Sequence, residues 1–145
     1  MINLALLQPA VALIGWTLVM LGWMLATRLP AMSRAGIRMG ALVGTKASDA
    51  DRSLPAKAQW KAHNYNHLLE QPVLFYALCA ILTVADGTSP VAVTLAWAYV
   101  LLRIAHSLVQ ASSNRVKPRF ILFAVSSGSL ALLTIVAALA VFRAS

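Results

Sequence analysis

Four long apolar stretches alternate with polar segments along the chain. No charged side chain occurs from Ile2 to Thr27. Leu68 to Ala85 is apolar except at Glu70, Gln71 and Thr83. Pro90 to Ala111 is interrupted by Arg103, His106 and a few uncharged polar residues, and Phe120 to Phe142 carries no charge. Each stretch is near the ~20 residues that a helix needs to cross about 30 Å of hydrocarbon. The pattern predicts an all-α membrane protein, an antiparallel bundle of four transmembrane helices forming one domain over residues 1–145. The helices are expected at about 2–28, 54–84, 90–112 and 118–142, with a polar loop over about 29–53. The first stretch has no basic start and no small-x-small cleavage site before Arg28, so it is expected to persist as a helix.

The polar segments carry turn signals. Short amphipathic helical character is expected around Ser33 to Leu42. Ser53 is placed to cap the second helix, with Pro55 in its first turn. Asp86-Gly87-Thr88-Ser89-Pro90 predicts a tight hairpin, and Asn114-Arg115-Val116-Lys117-Pro118 a second turn. No internal repeat or low-complexity tract is present.

Composition narrows the class. Hydrophobic residues make up 60% of 145 residues and charged residues 11%, against about 25% charged in an ordinary soluble domain. A chain this short cannot bury so much apolar side chain in one water-facing core. The single cysteine, Cys79, excludes a disulfide scaffold and a thiolate zinc site.

The net charge of +8 reads as topology once its placement is followed. Seven of the 12 basic residues lie between Arg28 and Lys61, and Arg115, Lys117 and Arg119 occupy the second turn. The Asp86–Ser89 hairpin has one acid and no base. By the positive-inside rule both basic segments are cytoplasmic and both termini are outside. Contact with anionic lipid accounts for the charge better than nucleic acid does.

Ionisable groups inside a span are expensive and mark function. Glu70 lies 16 residues before Asp86 and Arg103 lies 14 residues after Ser89. At about 1.5 Å per residue these are roughly 24 and 21 Å from the shared hairpin, so Glu70 and Arg103 are expected to meet, within the bundle or across a subunit boundary. Asn66 and Glu70 share one helix face, as do Arg103, His106 and Gln110. The two stripes predict a buried polar network, with Lys61, Arg115 and Arg119 at its mouth. Such a network suits an anionic ligand, because arginine binds carboxylates in bidentate fashion. The same residues also fit interhelical glue.

Other groups carry weaker signals. His63, His67, Glu70 and His106 have spacings from which a metal set can be drawn, but His63 and His67 fit the headgroup level better, and no metal is expected. Cys79 lies in apolar sequence, where a thiol is inert. Trp16, Trp23, Trp60 and Trp97 suit core or interfacial positions. Ala124 and Gly128 permit close helix approach.

Two motifs make the chain resemble a known family. Lys61-Ala-His-Asn-Tyr-Asn-His-Leu-Leu-Glu-Gln-Pro-Val-Leu-Phe-Tyr is similar to the second-helix signature of the MAPEG superfamily (membrane-associated proteins in eicosanoid and glutathione metabolism). Arg103-Ile-Ala-His106, followed by Asn114-Arg-Val-Lys-Pro-Arg119, resembles its third helix and the basic turn before helix four. The resemblance covers essentially the whole chain and is nearest to a bacterial-type branch, which implies a bacterial inner membrane.

The resemblance implies a homotrimer with sites between subunits near the cytoplasmic face, and glutathione as co-substrate. Carried over by position, Asn66, Glu70, Arg103, His106 and Arg115 would bind glutathione. Arg119 would be the catalytic group that stabilises the thiolate. The chain departs from the family pattern at Gln110, where several active members have Tyr, and at Phe120, where one branch has Ser. The Asn66-to-Glu70 spacing is four where three is common, so Asn64 and Asn66 both remain candidates for the site amide. The implied activity is a membrane-bound glutathione transferase or peroxidase acting on hydrophobic small molecules, lipophilic electrophiles that enter from the lipid bilayer. The alternative is a non-catalytic membrane protein that binds a small anionic or lipid ligand through the same network.

Overall fold

The computed structural model describes residues 3–143. Helix α1 spans Leu7–Arg34 behind a 3₁₀ turn at Leu4–Leu6. Among the described residues four spans are long and apolar enough to cross a membrane: Leu4–Arg34, Ala56–Val84, Pro90–Ser112 and Val116–Arg143. The chain is an integral, multi-pass all-α membrane protein.

The second span is interrupted rather than continuous. Helix α3 covers Ala56–Glu70 and α4 covers Pro72–Val84. Pro72 has no N–H, so the carbonyl of Leu68 loses its intrahelical donor and the ladder breaks there. Gln71 keeps helical dihedrals across the break (φ −61°, ψ −36°), so the direction of the span is largely preserved. The expected cap at Ser53 is also not formed. Ser53 closes the short helix α2, Ala47–Ser53, and its Oγ donates to the Asp49 carbonyl at 2.6 Å. Pro55 precedes α3 instead. The segment around Ser33 to Leu42 holds the last residues of α1 and a 3₁₀ turn at Met39–Ala41, not a separate α-helix.

Helix α5, Pro90–Ser112, packs against α1, α3 and α6 (Val116–Arg143). This central position explains why it buries residues along its length, from Ala92 and Ala96 through Tyr99 and Arg103 to His106, Ser107 and Gln110. Lipid tails are as apolar as leucine, so close packing and polar contacts must hold the spans together. Leu13, Met20, Phe75, Cys79, Leu82, Tyr99 and Leu133 are fully enclosed in the core. The Phe75 and Tyr99 rings stack with centroids 4.6 Å apart.

Turn chemistry fixes both hairpins. Asp86 takes a positive φ of 51° and Ser89 caps α5, its Oγ accepting from the Ala92 N–H at 3.2 Å. Gly87 is required for space. A Cβ there would stand 2.7 Å from the Ala140 Cβ and 2.9 Å from Leu82 Cδ2. At the opposite end Asn114 turns the chain with φ 48°.

At that end a second small apolar cluster forms. Ala31, Leu54 and Ala58 are buried, with Met32, Ile37 and Ala50 against them. Polar contacts fasten α2 to α3. Gln59 Nε2 donates to Asp51 Oδ1 at 2.8 Å, and His63 Nε2 lies 2.7 Å from the same oxygen. The Gln59 hydrogen bond first, and the His63 contact next, hold the Asp51 carboxyl below its ordinary pKa.

Candidate functional site

Arg103 is the largest enclosed side chain, with no exposed surface. A guanidinium offers five donors and no acceptor, so its surroundings must supply acceptors. Nη2 donates to Gln71 Oε1 at 2.7 Å, Nε to the Tyr99 hydroxyl at 3.1 Å, and Nη1 lies 3.3 Å from His67 Nε2. The Tyr99 and Phe123 rings lie 5.4 and 5.5 Å from its central carbon, within cation–π range. Among the described residues no carboxylate pairs with it.

The expected meeting of Arg103 and Glu70 does not occur within the chain. Glu70 sits at the end of α3 with its side chain 69% exposed, and its Oε2 contacts His67 Nδ1 at 3.1 Å. The two helices do meet at this depth, through Gln71, but rotation about the helix axis, which depth does not give, turns Glu70 outward. One residue later, where Pro72 interrupts the ladder, Gln71 turns inward and takes the place assigned to Glu70. Gln71 Nε2 also donates to Ser127 Oγ at 2.9 Å, tying α6 to this junction.

His67 lies between Glu70 and Arg103. Arginine can only donate, so His67 Nε2 must accept, and Nδ1 then carries the proton toward Glu70. The His67 ring is 5.1 Å from the His106 ring and 5.5 Å from Phe123. These groups form one wall of a pocket of about 280 Å³, lined by His67, His106, Gln110, Arg119, Phe120 and Phe123 with Val116. The lining carries one arginine, two histidines and no carboxylate. Arg103 lies directly behind it, in contact with His67.

Arg119 projects into this pocket from the first turns of α6. Its Nη1 donates to Asn114 Oδ1, so the left-handed turn residue also positions the arginine. Of the residues expected at the site, His106, Gln110 and Arg119 line the pocket and Arg103 backs it. Asn66 and Arg115 are exposed and lie outside the lining. Lys61 is also elsewhere: its Nζ donates to the Lys57 carbonyl at 2.8 Å and lies 5.5 Å from the Trp23 ring. His63 turns to Asp51, away from His67 and His106.

Several contributors escaped sequence reasoning. Tyr99 is one helical turn from Arg103 and extends the Arg103, His106, Gln110 stripe, a signal available in the spacing. Gln71 and Asn114 gave no such signal, because their roles depend on a broken helix and a left-handed turn. Asn64 is fully buried, and neither atom of its amide has a hydrogen-bond partner among the described residues. Ser107 Oγ and Gln110 Oε1 are buried and unpartnered in the same sense. Gln110 lines the pocket, but this oxygen is enclosed rather than open to it.

Comparison with curated proteins gives no match, and comparison with solved structures gives none. The model of the MAPEG family does match, over residues 6–139, nearly the whole chain. With four membrane spans and a pocket that holds His106 and Arg119 at the end of the bundle where the basic turn lies, the chain belongs to the MAPEG family, the membrane proteins of glutathione and eicosanoid metabolism.

Proposed function

We propose that this protein is a membrane-bound glutathione-dependent enzyme, a transferase or peroxidase acting on lipophilic electrophiles. The observation that carries this reading is the fully buried Arg103, without a carboxylate partner among the described residues, behind an acid-free pocket holding Arg119. A buried cation lacking a counter-charge is strongly unfavourable. An anionic ligand, or a carboxylate from a neighbouring copy, relieves it.

The donor set fits glutathione. Arg119 and His106 offer donors suited to its carboxylates and thiolate, and the Gln110 amide in the pocket wall can turn to meet its peptide groups. Glutathione supplies a thiol that becomes a nucleophile or reductant when deprotonated. Arg119 stabilises negative charge at that sulfur, helped by its place at the start of α6, where the helix dipole is positive. Phe120, two-thirds exposed, and Phe123 give an apolar side for an electrophile arriving from the bilayer.

A homotrimer with sites between subunits belongs to the same proposal. Glu70 and Asn66 face outward from one membrane span, where hydrocarbon would be a poor neighbour for either. A neighbouring subunit covering this face would bring them to a shared site beside His67.

Calorimetric titration of the detergent-purified protein with glutathione, followed by conjugation of an aryl halide and reduction of a lipid hydroperoxide, tests the reading. Saturable binding with either turnover supports it. No binding at millimolar glutathione overturns it, and binding without turnover leaves a non-catalytic binding protein.

A further inference from the structure

A second cleft lies apart from the pocket just described, between the end of α1 and the segment leading to α2. It has a volume of about 280 Å³. Met32, Ile37, Leu42 and Leu54 form its apolar wall, and Arg28 and Lys46 border it. The volume is at the small end for ligand pockets, suited to a headgroup with the first part of an acyl chain. Arg28 is 24 residues beyond Leu4, roughly 36 Å along α1, so it lies just past a hydrocarbon layer of about 30 Å.

The charges around the cleft are unevenly engaged. Asp49 also borders it, its Oδ2 accepting from the Lys46 backbone N–H at 2.9 Å, so the lining sets two cations against one carboxylate. Asp51 is held by Gln59 and His63, and Arg28 acts on it only at longer range, outside ion-pair distance. Among the described residues, Arg28, Arg34, Arg38 and Lys46 form no ion pair with either acid. Between Arg38 and Lys46 the chain exposes three large apolar side chains, Met39 at 63%, Leu42 at 43% and Val43 at 92%. Apolar residues set among basic ones are the composition of a segment that lies in a membrane interface with anionic lipid.

We infer that this cleft binds an anionic glycerophospholipid of the adjacent leaflet. The phosphate lies between Arg28 and Lys46, and an acyl chain leaves along Leu42 and the exposed Met39 and Val43. A free phosphate would satisfy the cations but would make no use of the apolar wall. This inference does not depend on glutathione binding at the other pocket.

Native mass spectrometry of the full-length protein in detergent, titrated with phosphatidylglycerol, phosphatidylcholine and glycerol 3-phosphate, tests it. Phosphatidylglycerol should bind well ahead of the other two. The double variant Arg28→Gln/Lys46→Gln should lose about 25-fold in phosphatidylglycerol affinity, from roughly fivefold per cation near an anionic surface, with phosphatidylcholine unchanged. Leu42→Asp, at a more exposed position, should weaken phosphatidylglycerol in the same direction and serves if the double variant does not fold. Phosphatidylglycerol affinity unchanged in the variants overturns the inference. Glycerol 3-phosphate binding as tightly as the lipid also overturns it, leaving a site for soluble phosphates.

Discussion

The guanidinium of Arg103 and the side-chain amide of Gln71 meet at 2.7 Å inside the bundle, at the point where Pro72 interrupts the second span. A helix break thus delivers a neutral acceptor to a buried cation, while the adjacent Glu70 keeps its charge on the outside. The arrangement leaves Arg103 held in position but not neutralised.

Removing the Gln71 acceptor should therefore matter more than removing the Glu70 charge. Gln71→Leu deletes a hydrogen bond to a charged group, about 2–3 kcal/mol, and should lower unfolding stability in micelles accordingly. Glu70→Gln should change monomer stability by less than about 1 kcal/mol, as expected for an exposed pair. A larger loss in Glu70→Gln would show that Arg103 has been given the wrong partner.

Arg119 carries the chemical prediction. Arg119→Ala should reduce the thiolate absorbance of bound glutathione and lower kcat, with glutathione affinity changed only a few-fold. Asn114→Ala, which frees the arginine without removing its charge, should have a smaller effect in the same direction. Ultraviolet difference spectra read both. An unchanged thiolate signal in Arg119→Ala would make it an orientation charge only.

Acid should loosen the link between α2 and α3. The folded-state pKa of Asp51 lies below its ordinary value near 3.8. Its contribution is therefore fully present above that value and is lost as pH falls through the lowered one. Hydrogen-exchange protection over Ala47–Ser53, taken relative to the intrinsic rate at each pH, should fall below about pH 4, and Asp51→Asn should flatten that dependence. Equal pH profiles for the two proteins would remove Asp51 from the account.

Gly87→Ala should destabilise the hairpin, because the new Cβ meets the Ala140 Cβ at 2.7 Å. Neither atom can rotate away, so the hairpin or α6 must shift, for about 1–3 kcal/mol. Adding Ala140→Gly should recover part of the loss in the melting temperature. Strict additivity of the two changes would show that the contact is not the cause.

Orientation is predicted from charge. Ten of the 12 basic residues lie in the 28–61 segment and the second turn, so both should face the cytoplasm. A reporter fused after Ser145 should be active only outside. Cytoplasmic activity would reverse the topology.

Four spans, their antiparallel order and the common depth of the polar stripes could all be read along the chain, because hydrophobic run length and a constant rise per residue are one-dimensional quantities. The polar stripe of Arg103, His106 and Gln110 could be read from spacing on one helix, and the structure sets His106 and Gln110 in the pocket lining with Arg119, while Asn66 and Arg115 lie outside it. Rotation about a helix axis is different in kind. Whether Glu70 or Gln71 faces Arg103 depends on how α3 and α4 pack against α5 and α6, and on Pro72 breaking the ladder between them. Asn66 outside and Asn64 inside are decided by the same rotation. A one-residue choice on a helix turns a side chain by about 100°, and only the contacts among neighbouring spans select it.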